Sequence, residues 1–198
     1  MIRIVTSVAI LFASTALAPA PVQAEPRTYV LDSEHITIAF MVTHIGFAKV
    51  LGVFREAEGT IVFDEETLAL ESMNVTVNTQ SIDTGHNARD RHIRSRDFLD
   101  AGNYPEMVFV LTGAEPTGER TGIVTGNHTL RGETRPVRLD VVWNKAGEYP
   151  YGDEHYTLGI SARGEIQRSQ WGMTYALDIG LVGDAVEIII EAELIRQD

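Results

Sequence analysis

Arg89, Asp90 and His92 fall close together in the chain, and their side-chain types can do acid/base chemistry. A carboxylate orients an imidazole, the imidazole moves a proton, and a guanidinium holds an anion. The same three groups also make a structural ion-pair knot, and such knots imitate catalytic clusters. The structural reading is preferred and no catalytic residue is assigned, which leaves Arg89 or His92 the lesser role of meeting a ligand's polar head. His35, His44 and His92 would supply the imidazoles of a three-histidine zinc site. The odd separation of His35 and His44 places them on opposite faces of a strand, so no metal is expected, and His44 is read as pointing toward the interior. Cysteine is absent, which excludes thiolate nucleophiles and thiolate metal ligands. Ser81-Ile82-Asp83 and Ser161-Ala162-Arg163-Gly164 lack the glycine-flanked elbow of a serine hydrolase, and no glycine-rich phosphate loop precedes a helix. No cofactor is expected.

The elements that must position these residues are mostly strands. Val186, Ile188, Ile190, Ala192 and Leu194 alternate with Glu187, Ile189, Glu191 and Glu193, the pattern of an antiparallel strand with one apolar and one wet face. Similar alternation runs through 36–43, 68–78, 107–112, 123–130, 137–143 and 156–166. The stretch 50–63 reads as one extended strand bent at Gly52 and Gly59. The rhythm breaks only at 83–100, dense in charge, where a short helical segment over about 86–99 is expected. These elements give an all-β chain of about eight antiparallel strands, which periodicity alone leaves open as a sandwich or a barrel. The in-facing sets include Phe40, Val42, Phe54, Val75, Phe109, Leu158 and Ile160. Arg168 and Trp171 could stand at a portal or plug one end.

Composition narrows the partners. The first 24 residues read as a secretory leader: Arg3, an apolar run over 4–17, then Val22-Gln23-Ala24 as the cleavage site, with Ala20 as a second candidate. That run is shorter than the roughly 20 residues a membrane span needs. Residues 25–198 then form one domain with enough length for a sizeable core and no need of disulfides. Sixteen basic residues against 28 acidic give a net charge of −12, which disfavours nucleic acid as a partner and a bilayer face as a docking surface. An outer-membrane barrel is excluded because Arg138, Asp140, Glu187, Glu191 and Glu193 sit in mid-strand, where an apolar band would be required.

Tyr29, Asp32, His35, Phe40, His44, Gly46, Val50, Gly52 and Phe54 open a longer pattern. It continues through Ser81-Ile82-Asp83-Thr84, Arg89-Asp90, His92, Ser95, Asp97-Phe98 and Tyr104-Pro105. Gly126, Thr129, Leu130, Gly132, Pro136, Arg168, Trp171-Gly172-Met173, Gly183-Asp184 and Val186 complete it. In order and spacing this resembles the YceI-like proteins, with a departure at Asn127-His128, which are more polar than is usual there. The resemblance implies a single lipocalin-like barrel, periplasmic location, binding of a polyisoprenoid chain, and a plausible homodimer. It makes Phe40, Val42, His44, Phe54, Val75, His92, Phe109, Leu158, Ile160 and Trp171 the candidate ligand wall, with Arg89, His92 and Arg168 as candidates for the polar head. Transport, storage or sequestration of a long-chain isoprenoid or similar lipid, without stable membrane insertion, is the leading reading. Its rivals are an enzyme on a lipidic or quinone-like substrate, worked by His44, His92 and Arg89, and a ligand-free, stress-associated structural protein.

Overall fold

The computed structural model describes residues 25–152 and 154–197; the leader expected over the first 24 residues lies outside them. Ten strands and one α-helix follow in chain order: β1 (Arg27–His44), β2 (Ala48–Phe54), β3 (Ala57–Asp64), β4 (Ala69–Asn78), β5 (Ile82–Asp83), α1 (Asn87–Ile93), β6 (Glu106–Pro116), β7 (Thr121–Leu130), β8 (Glu133–Glu148), β9 (Tyr156–Gln167) and β10 (Val182–Gln197). Eight of them close an antiparallel barrel, in the order β1, β3, β4, β6, β7, β8, β9, β10 and back to β1. The barrel form, one of the two that alternation left open, follows from the long β1–β10 pairing. It runs from Thr28 against Gln197 to His44 against Val182.

The extended run 50–63 is two strands rather than one bent strand. It breaks at Arg55-Glu56, where both backbone N–H groups donate to the Ser81 hydroxyl at 3.1 Å, so a side chain replaces the missing ladder partner. The two halves lie on the same side of β1: β3 pairs with Arg27–Val30 and β2 with Ile38–His44. β1 can serve both because of its length, and because it carries a bulge between Leu31 and Ile36 that turns its register against β10. The bulge is pinned on the outer face, where the Asp32 carboxylate lies 2.7 Å from Nδ1 of His35.

The interior has two apolar clusters. The upper one gathers Ile38, Val77, Leu99, Met107, Leu130, Val137, Leu139, Trp171 and Met173. The lower one gathers Tyr29, Ile61, Leu158, Ala192 and Leu194. At the lower end the hydroxyls of Tyr29 and Tyr156 donate to the two carboxylate oxygens of Glu65, at 2.5 and 2.9 Å, and the Arg196 guanidinium lies over the Tyr156 ring. Burial, then the Glu65 carboxylate, pushes both phenols up, so they remain donors. At the upper end, β1 turns into β2 through Ile45-Gly46, both with positive φ, closed by the Phe47 N–H to the His44 carbonyl at 3.1 Å. The connection is three residues long, 45–47, and Gly46 takes its positive φ without steric cost.

Candidate functional site

The barrel is hollow. Residues of both clusters line a cavity of about 460 Å³, within the range of small-molecule pockets, and its wall is almost wholly apolar. Each strand supplies alternate residues, as a pleated wall requires: Ile36, Ile38, Phe40 and Val42 from β1, Met73, Val75 and Val77 from β4, Val137, Leu139 and Val141 from β8. From β10 come Val186, Ile188, Ile190, Ala192 and Leu194, the whole apolar face of that strand.

Two aromatic rings lie flat against glycines. The Phe40 ring occupies the space that a Cβ on Gly52 would need, and the Phe109 ring does the same over Gly126. Phe40 and Gly52 are paired directly across β1 and β2, whereas Phe109 and Gly126 are diagonal neighbours across β6 and β7. With a larger residue at either glycine the ring would be forced inward, so these small residues keep the lumen open.

The mouth lies at the α1 end, where His44 and Tyr175 both line the cavity and are exposed. His92, Phe98 and Tyr175 form an aromatic cluster there, with ring centroids 4.8 to 5.4 Å apart. The β1–β2 turn and the loop 174–181 make the rim, joined by the Ile45 N–H to the Leu181 carbonyl at 2.9 Å. Phe47 and Ile179 project from it, 89% and 65% exposed.

Of the residues singled out from sequence, Phe40, Val42, His44, Phe54, Val75, His92, Phe109, Ile160, Arg89 and Arg168 line this cavity. Leu158 and Trp171 do not. Leu158 belongs to the lower cluster and borders a smaller pocket of about 100 Å³ under the β6–β7 hairpin. Trp171, 1% exposed, packs within the upper cluster without lining the cavity, and its indole N–H donates to the His128 carbonyl at 3.3 Å. Tyr175 and Leu181 line the mouth from an irregular loop, where no periodicity could announce them.

The polar groups at this end are largely spoken for. Arg89 donates from Nε and Nη2 to the hydroxyl and carbonyl of Thr84, both at 2.8 Å. Asp90 accepts from the Thr84 N–H and hydroxyl, so it does not orient His92; Asp97 does, 2.9 Å from Nε2. The knot expected around Arg89, Asp90 and His92 is therefore two separate arrangements. Arg168 is 2% exposed and donates to the carbonyls of Met173, Tyr175, Val182 and Gly183, which ties the loop 174–181 to the barrel. Burial pulls its guanidinium down from the ordinary range, with Asp184 opposing. His128, the departure noted in the sequence, also faces the cavity, and burial pushes its imidazole down to about 4. His35 is on the outer face, so the three histidines weighed as a zinc site do not meet.

The wall, the mouth and the sequence pattern can now be set against known proteins. The family model for the YceI-like domain matches residues 29–194. The chain belongs to the YceI-like family. A curated relative, Protein YceI of Salmonella arizonae, is 36% identical over 171 residues, covering 85% of this chain and 87% of that protein. Among solved structures, Burkholderia cenocepacia BcnA superposes with a TM-score of 0.74 at 22% identity, over 82% of this chain and 98% of that one. A polyisoprenoid-binding domain from Saccharophagus degradans superposes with a TM-score of 0.62 at 13% identity, over 85% and 98%. At these identities the two structures speak for the YceI-like barrel alone. No helix among the described residues is long and apolar enough to cross a membrane.

Proposed function

We propose that this YceI-like protein is an exported, non-enzymatic binding protein that holds a long-chain isoprenoid or similar amphiphilic lipid in the barrel, for transport, storage or sequestration. The observation that carries the reading is the apolar cavity of about 460 Å³, open at one end. The Saccharophagus degradans domain of the same fold, which binds polyisoprenoid, supports the ligand class. Its driving force is burial: each CH₂ removed from water contributes about 0.8 kcal/mol, so a long chain is retained with few hydrogen bonds. The chain occupies the lumen between Phe40, Phe54, Val75, Phe109 and Ile160, with its polar end toward the α1 end of the barrel. The leader expected over residues 1–24 supports a periplasmic location.

The test is native mass spectrometry of freshly purified protein, followed by extraction and identification of what it carries. A lipid adduct is expected, and Phe40→Asp or Phe54→Asp, folded by circular dichroism, should lose it. A folded protein that never carries or takes up a lipid would sink the reading in favour of a structural role. The same spectrum reads stoichiometry and so tests for the homodimer that the family resemblance allows.

A further inference from the structure

A lumen lined by aliphatic and aromatic side chains contains one imidazole that the mouth does not account for. On β7 the residues facing inward are Val124, Gly126, His128 and Leu130, and an aliphatic residue at 128 would complete the pattern. His128 is held firmly: the Trp171 ring packs edge-on against it with centroids 5.8 Å apart, and the Trp171 indole fixes its backbone carbonyl. A neutral imidazole keeps one ring nitrogen as donor and the other as acceptor, and the neighbouring Val108 backbone favours an N–H on the ring. With burial pushing the group down to about 4, it is neutral near pH 7 and keeps that lone pair.

The other charged and imidazole groups around the lumen are engaged elsewhere or stand at its rim, where the exposed Tyr175 also lies. Arg89 is bound to Thr84, Arg168 to four carbonyls and His92 to Asp97, while His44 stands at the exposed rim. A buried acceptor with no donor is costly, and a site built around one rejects a ligand that cannot supply the donor. An uncharged imidazole also has no net charge with which to favour an anionic head. We propose that His128 accepts a hydrogen bond from a hydroxyl on the bound lipid, making the barrel selective for neutral long-chain alcohols over hydrocarbons and ethers of the same length. This rests on the lipid-holding reading above and specifies its ligand class.

The experiment uses the whole purified protein, with octadecanol, octadecane and octadecyl methyl ether each competing against a fluorescent naphthylamine probe in the lumen. The alcohol should bind about ten-fold more tightly than the other two, the gain expected of one hydrogen bond in a dry site. His128→Phe retains an aromatic ring beside Trp171 but has no nitrogen; it should weaken the alcohol by about the same factor and leave octadecane unchanged. His128→Leu should do likewise, and keeps the test alive if the phenylalanine variant does not fold. Equal affinity of the native protein for all three ligands would overturn the assignment while leaving the lipid-holding reading intact. An unaltered alcohol preference in a folded His128 variant would also overturn it. Failure of all three to displace the probe would remove both readings together.

Discussion

At the scale of single residues, the cationic side chain flagged near the portal has a different job. Arg168 carries four carbonyl bonds in a nearly dry site, so it orders the loop behind the mouth rather than waiting for a lipid head. Arg168→Met should lower the unfolding free energy by about 3–5 kcal/mol, because four buried carbonyls lose their donor. Arg168→Lys should recover little of it, since an ammonium cannot reproduce the planar fork. Urea unfolding checks both; a loss below about 1 kcal/mol would show that water replaces the guanidinium. His128 makes a second prediction. Its folded value of about 4 lies below the ordinary 6.5, so the unfolded chain binds a proton that the folded chain refuses. The associated stability is present above pH 6.5 and is lost as pH falls toward 4, amounting to about 3 kcal/mol. Asp32, Asp64, Asp83 and Glu191, all held below their ordinary values, lose their contributions mainly at more acidic pH. Urea midpoints at pH 7 and pH 5 should therefore converge in His128→Leu and stay apart in the native protein. The sequence marked His128 as unusual, but a histidine's tautomer and its neighbours in space are not written in spacing.

Among elements, parity was the legible part. Alternation assigned the inward set of β10 completely, and most of those of β1, β4 and β6, because a pleat leaves only two choices. Depth along the barrel was not legible: Leu158 and Ile160 share a face of β9, yet only Ile160 reaches the main cavity. The break between β2 and β3 was hidden too. Its stop signal is a hydroxyl from Ser81, distant in the chain, and the local glycines sit within the strands at 52 and 59. Those glycines act through contact. Gly126→Val should drive the Phe109 ring into the lumen, cost about 1–3 kcal/mol from overpacking and abolish lipid retention in native mass spectra. Adding Phe109→Ala to that variant should restore retention. If the single variant still carries lipid, the ring has another way to move and the lumen does not depend on that glycine.

For the whole molecule, closure is a matter of long-range register, which explains why the sandwich could not be separated from the barrel on periodicity. Whether a closed barrel is full or empty then depends on rings folded back on glycines, one level further from the sequence. Closure also predicts how the molecule breathes. β9 is bonded on both edges along most of its length, whereas β2 leans on β1 and meets β5 only at Val53 and Phe54. Amide hydrogen exchange should therefore reach 48–52 well before 158–166, opening the wall beside the mouth without unfolding the barrel. Equal protection of the two segments would mean that the flank and the barrel open as one unit.

The seam between β1 and β10 has a practical corollary. Thr28 faces Gln197 at the end that holds the Tyr29, Tyr156 and Glu65 cluster, while His44 faces Val182 beside the entrance, so the first and last described residues lie on the side opposite the opening. A tether, reporter or solid support attached beside Arg27 or Gln197 would hold the vessel upright with its entrance unobstructed. Linking those two positions and recutting the chain at an outer loop would leave the seam intact.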